Sequence, residues 1–346
     1  MQIGIDNFVS YVVEYDTGRE IDARTRISHL MEEVQLADAS GVDVFGIGEH
    51  HRKEFYDSAP TVLLGAAAAR TERITLTSAV SVLSADDPVR LHQQFATVDL
   101  LSGGRAEMVV GRGSFTEAYP LFGLDIANYD SLFASKLDLL LTILDDPTSV
   151  TWAGRHRPPM TGQGVYPLPV QDRLPVWLGV GGSPQSFVRA GSLGLPLMVA
   201  IIGGEPRRFR PLIDLYRQAG ARAGYTPEQL RVGIHAPGLV ADTDSAAIDA
   251  VYPGWANMMG TIGRERGFVT PRKADFEQMA GPYGAMFVGS PDTVARKIAS
   301  VSEDLGGIDR MTIQMTNTQL PHASMLHGIE LLGAKVKPIV AELVPV

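Results

Sequence analysis

The chain has 346 residues, 45% hydrophobic and 20% charged, with 30 Lys and Arg against 39 Asp and Glu and a net charge of −9. That balance provides for a large core and excludes the basic face of a nucleic-acid binder. Cysteine is absent, which excludes disulfides, thiolate metal sites and a cysteine nucleophile, and fits a reducing cytoplasm.

Strand-like and helical patterns alternate along the chain. Ile3 to Val9 reads as a strand, and Arg24 to Ser40 as a helix with an apolar stripe at Ile27, Leu30, Met31, Val34 and Ala37, closed by Gly41. The start carries no signal-peptide pattern. Strand Val42 to Gly48, helix Pro60 to Arg70, strand Arg73 to Leu83 and helix Pro88 to Leu101 come next. Strand Arg105 to Val110 precedes a helix from Tyr129 to Leu144, and a Pro- and Gly-rich excursion fills 150–175, consistent with a hairpin. The alternation resumes with strand Val176 to Val180, helix Pro184 to Ser192, strand Leu195 to Ile202 and helix Pro206 to Ala223. The run Leu195 to Ile202 is the strongest apolar one and is too short for a bilayer, so no membrane association is expected. Strand Arg231 to Val240 and helix Thr243 to Met259 lead into an irregular segment, Gly260 to Met286, a candidate lid. Helix Pro291 to Leu305, strand Arg310 to Met315 and helix His322 to Glu342 finish the chain. Eight strands alternating with helices predict one α/β domain over 1–346, a (β/α)₈ TIM barrel with insertions near 150–175 and 255–286. A doubly wound sheet has the same periodicity.

Barrel enzymes place chemistry at the C-terminal ends of their strands. Val42 to Gly48 delivers Glu49, His50 and His51 there. One histidine is a candidate general base, with Glu49 or the other histidine orienting it; the alternative is a polar strand end satisfied by loop backbone. No His-x-His or His-Glu-x-x-His spacing supports zinc. A second candidate strand end is Val109-Val-Gly-Arg-Gly-Ser114, where Arg112 between glycines suits an anion or else forms a salt bridge at a tight turn. Gly179-Val-Gly-Gly-Ser-Pro184 then opens a helix, a cradle for phosphate made of backbone N–H groups, or a plain helix cap. It lacks the third glycine of a dinucleotide fingerprint. Two adjacent strand ends forming one phosphate site are more specific than either alone. Ser78 and Ala79 leave room for a flat ring to approach the backbone, but from the residues alone ordinary barrel packing is the better explanation.

Six segments in order resemble the luciferase-like flavin-dependent monooxygenases. They are Gly46-Ile-Gly-Glu-His-His51, Arg73 to Val80, Asp87-Pro-Val-Arg90, Asp99 to Gly113 with Val180 to Ser183, and Gly289 to Lys297. The resemblance implies a dimeric barrel with FMN at its mouth, the phosphate held by Arg112, Gly182, Ser183 and Ser186. It implies a non-proline cis peptide near Ala79–Val80 beneath the isoalloxazine, and His50 as catalytic base. By the same likeness, reduced FMN reacts with O₂ and the product oxidises a small organic substrate. Because no NAD(P)H fingerprint is present, a separate NAD(P)H:flavin reductase is the expected partner.

Gly111 stands where bacterial luciferase has a reactive cysteine, so light emission and its aldehyde substrate do not carry over; residues 260–286 differ from its mobile loop, so the likeness does not extend to lid behaviour. The other readings of this scaffold are a hydride-transferring oxidoreductase using F420 or NAD(P)H, and a flavin-binding protein without turnover. Glu49-His50-His51 favours FMN over F420, whose relatives often show Asp-His there, and His50 argues against the non-catalytic reading.

Overall fold

The structure is a computed structural model that describes residues 1–13, 17–113, 115–267, 269, 272–316 and 319–344. Eight parallel barrel positions follow chain order: β1 (Gln2–Asn7), β2 (Val44–Ile47), β3 (Thr75–Ser78 continued by Ser81–Val82), β4 (Met108–Gly111), β5 (Val176–Val180), β6 (Leu197–Ala200), β7 (Val232–Val240) and β8 (Arg310–Gln314). Every neighbouring pair from β2 round to β4 through β1 and β8 is parallel. Closure comes through β3. Leu76 N donates to Arg105 O at 2.9 Å, Glu107 N donates to Leu76 O at 3.0 Å, and Ser81–Val82 pairs with β4. The barrel expected from the alternation is therefore the one observed.

Three expectations are corrected. The strand from Arg73 to Leu83 is broken at the cis peptide Ala79–Val80, so its two halves pair with different neighbours. The segment Gly260 to Met286 is largely helical where it is described. Asp244–Arg266 runs on past Met259, and Lys273–Ala280 follows. Glycines at 254, 260 and 263 and Pro253 hide that helix from propensity, while burial of Val251, Trp255 and Phe276 in the core holds it. The last helix is divided by a π-helical turn, Leu332–Val336, where Gly333 packs on the Ser40 backbone too closely for a side chain. The 150–175 excursion does contain a hairpin, Val150–Trp152 against Met160–Gln163.

Alternation along each strand assigns the two faces. Ile3 and Ile5 join the sheet–helix core, so Gln2, Gly4 and Asp6 point into the barrel. At the N-terminal end the interior is plugged by Arg310 from β8, Glu107, which precedes β4, Trp177 from β5 and Gln2. Arg310 reaches both Glu107 and Gln2 and stacks over Trp177 at 4.2 Å. At the C-terminal end the inward positions are small: Gly46, Ala79, Gly111, Gly179 and Ala200. Cβ atoms at Gly111 and Gly179 would each lie 2.9 Å from the Val80 side chain. Those two glycines admit Val80 to the barrel interior, and the upper layer stays shallow. Several residues of the family-like segments hold this frame. Asp99 accepts from Val170 N and Gln171 N, Arg105 donates to Thr71 O and Ile74 O, and Lys297 donates to the Ala280, Gly281 and Met286 carbonyls. No described helix is long and apolar enough to cross a membrane.

Candidate active site

His50 leaves the end of β2 and turns over the barrel mouth. Its backbone N donates to Asp57 Oδ1 (3.1 Å) and its Nδ1 lies 2.8 Å from Asp57 Oδ2. Asp57 is fully buried, and burial pushes its carboxyl up while the His50 ring opposes that shift. The pairing works only because residue 48 is glycine. A Cβ there would lie 2.6 Å from Phe8 and 2.8 Å from Asp57 Oδ2. Three half-buried rings enclose the imidazole, with centroids at 4.3 Å (Phe55), 4.7 Å (Phe8) and 5.6 Å (Phe115). Arg52 draws this cover together by pairing with Glu54 and Glu117 and lying over Phe115.

The neighbours of His50 have a different task. Glu49 joins His51 Nε2 (3.0 Å) to the backbone N of Val82 (2.9 Å), which fixes the second half of β3 beside the mouth. The orienting partner of His50 is therefore Asp57, not Glu49 or His51. Behind Glu49 the Asp86 carboxyl is pushed up to about 6 by burial, opposed by the Asp87 N–H and reinforced by the Glu49 charge. Its folded-state pKa lies above the ordinary 3.8, so its stabilising contribution is full below that value and is lost as pH rises through about 6. Asp86→Asn should flatten this fall in stability, measured by urea unfolding at several pH values between about 4 and 7; an unchanged slope would refute the assignment.

Arg112, at the end of β4, meets the next strand end as expected from sequence. Its Nη2 donates to Ser186 Oγ at 3.2 Å, its Nη1 to the exposed Asp130 at 2.7 Å, and its guanidinium lies 5.0 Å from the Tyr129 ring centroid. Ser186 sits in the first turn of the helix Pro184–Ser192, which has no acidic residue there. Ser183 occupies the N-cap without a side-chain cap bond, donating instead to Gln185 Oε1 at 2.7 Å. At Gly181 and Gly182 a Cβ would meet no atom within 4 Å, so the backbone faces open space beside Arg112. Guanidinium, hydroxyl and a positive helix end thus converge as a dianion requires. Ser114 lies outside the described residues. Ala79 forms the cis peptide with Val80 at the floor between this cradle and His50. Among the described residues no three His, Asp or Glu cluster as metal ligands.

Composition and spacing did not reveal Asp57, Phe8, Phe55, Phe115, Asp6 or His235. His235 has no partner within reach along the sequence, yet its Nδ1 lies 2.6 Å from Asp6 Oδ2, a partner 229 residues away. A charged residue at an inward position of β1 was the available signal.

The sequence model described as luciferase-like monooxygenase matches residues 8–307. The chain belongs to the luciferase-like monooxygenase family. It is accordingly an oxidoreductase enzyme. A luciferase-like monooxygenase of Escherichia coli K12 is 28% identical over 327 residues, covering 89% of this chain and 91% of its own length. The N-acetyl-S-alkylcysteine monooxygenase of Bacillus subtilis is 29% identical over 210 residues, 59% of this chain, which spans 60% of that relative. Among solved structures, a monooxygenase from Streptomyces bottropensis has a TM-score of 0.83 at 20% identity, covering 98% of this chain and 99% of its own. The FMN complex of the oxygenating component of 3,6-diketocamphane monooxygenase from Pseudomonas putida has 0.78 at 19%, covering 98% of both chains. An F420-dependent secondary alcohol dehydrogenase has 0.75 at 17%, with the same coverage. These likenesses share the barrel, whatever ring each neighbour binds.

Proposed function

We propose that this luciferase-like enzyme is an FMN-dependent monooxygenase that uses reduced FMN and O₂ to oxidise a small organic substrate, with a separate NAD(P)H:flavin reductase supplying the reduced flavin. The observation that carries this reading is the convergence of two sites on one barrel mouth. The Arg112–Ser186–Gly182–Ser183 cradle fits a phosphate, and the His50–Asp57 pair stands across the Ala79–Val80 floor from it. When bound, FMN would supply the redox chemistry with oxygen. Arg112 and the helix end at Ser183 hold the phosphate. Ala79 and the small inward residues around it give the ring a flat seat. His50, its Nδ1 proton fixed by Asp57, accepts or returns a proton at Nε2. Phe8, Phe55 and Phe115 keep water from that atom.

Arg112→Ala should weaken FMN binding by an amount on the order of 1–3 kcal/mol, the strength of a charge-assisted contact, as read by quenching of flavin fluorescence. Unaltered affinity would return Arg112 to a salt bridge with Asp130. The same reading includes a homodimer through the helices Pro60–Ala68 and Pro88–Ser102, where Val62 (71%), Leu100 (47%) and Leu101 (57%) are exposed. Sedimentation equilibrium should give twice the chain mass; a monomer at micromolar concentration would contradict it.

A further inference from the structure

The barrel mouth holds a second histidine–aspartate pair that the proton chemistry of His50 does not use. His235 on β7 and Asp6 on β1 are both buried, and the Nδ1–Oδ2 distance is 2.6 Å. Asp6 also accepts from Thr312 Oγ1 of β8. On β2 residue 46 must be glycine, because a Cβ there would lie 2.2 Å from Asp6 Oδ1. Three strands therefore converge to fix one carboxylate beneath one imidazole. That is far more construction than a buried histidine needs for its own satisfaction.

The carboxylate accepts only a proton carried on Nδ1, so the neutral ring presents Nε2 as a bare acceptor. Nε2 has no hydrogen-bond partner among the described residues, and the same is true of His50 Nε2. Phe8 separates the two rings, stacked on His235 at 5.7 Å and tilted against His50 at 4.7 Å. Each carboxylate here is capped by an imidazole Nδ1–H, Asp57 by His50 and Asp6 by His235, which shields it from a cation, and Arg52 is paired with Glu54 and Glu117. An ionic substrate group would find no complement there, whereas a neutral donor would find two acceptors within an aromatic enclosure.

We infer that His235, positioned by Asp6, is a substrate-recognition residue, and that the substrate is an uncharged, largely apolar molecule presenting a hydroxyl group to the His235 Nε2. This rests on the FMN reading for the place of the flavin, while the donor preference rests on His235 and Asp6 alone. The test uses 1-naphthol, its methyl ether 1-methoxynaphthalene and the anion 1-naphthoate, with affinities measured by fluorescence in the protein with and without FMN. Wild type should bind the naphthol about tenfold more tightly than either analogue, the size of one hydrogen bond that a buried acceptor would otherwise forgo. His235→Leu should erase that preference while leaving the ether's affinity and the FMN affinity unchanged. His235→Gln, which restores an acceptor near the Nε2 position, should recover part of it. Equal binding of all three by wild type, tighter binding of the naphthoate, or an intact preference in His235→Leu would overturn the inference. A parallel loss of all three ligands in both variants would also overturn it, since that is the mark of a purely structural residue. Failure of the FMN reading shows itself separately, as wild-type protein that discriminates the naphthol but does not bind FMN.

Discussion

His50→Ala should lower substrate oxidation by about 10²–10⁴-fold, the range of a positioned general acid–base group, with FMN affinity within roughly twofold of wild type. The expectation follows from separation of roles. The residues proposed to hold the flavin phosphate are Arg112, Ser186 and the helix end behind Ser183, and among the described residues none of them is hydrogen-bonded to His50. Truncation to Ala leaves the buried Asp57 Oδ2 without its imidazole partner while Oδ1 keeps the residue-50 backbone N–H, which costs stability. His50→Gln keeps a group of similar length opposite Asp57 and should lose activity equally while folding better. Asp57→Asn should lose less, since the imidazole remains but is no longer held in one tautomer beside a charge. Steady-state oxidation with excess reduced FMN, paired with FMN titration, separates the two readouts. Turnover by His50→Gln at the wild-type rate would remove His50 from the mechanism.

The largest stability effect is expected at the opposite end of the barrel. Arg310 is 1% exposed and pairs with Glu107, which is 5% exposed, while its guanidinium also reaches Gln2 and lies over Trp177. Removing one partner leaves a buried charge without compensation, so Glu107→Leu should destabilise by about 3–5 kcal/mol. The double variant Glu107→Leu with Arg310→Met replaces the pair by apolar volume and should recover most of that loss. Urea unfolding reads both. A single variant as stable as wild type would show that the pair does not hold the plug. FMN affinity of the folded single variant should not change, because the plug lies below the small-residue layer proposed to seat the ring.

The barrel was legible because its signals are local. Glycine and proline punctuate each unit, and apolar stripes recur at helical spacing, so strand β5 and the helix Pro184–Ser192 fall where periodicity puts them. Arg112 and Ser186 were legible for a related reason: adjacent strand ends in chain order are adjacent in space, and the structure joins them at 3.2 Å. What escaped was set by distance along the chain or by packing. Asp57 lies seven residues from His50 across a loop whose path no periodicity fixes. Asp6 and His235 meet only because β1 and β7 both flank β8. The helix Asp244–Arg266 carries four glycine and proline residues, and it exists through burial rather than propensity. Glu49 was placed correctly at the mouth, but its contact with Val82 N requires knowing where β3 breaks.

On the proposed reading, this mouth binds reduced FMN and governs its reaction with oxygen. Stopped-flow mixing of the protein, loaded with reduced FMN, against oxygenated buffer tests it most directly. Reoxidation should be slower than that of free reduced FMN and should proceed in more than one phase, and the Arg112→Ala protein should drift towards the free-flavin trace as it releases flavin. Reoxidation identical to free FMN at saturating protein, or tight binding of F420 with hydride transfer that ignores oxygen, would contradict it.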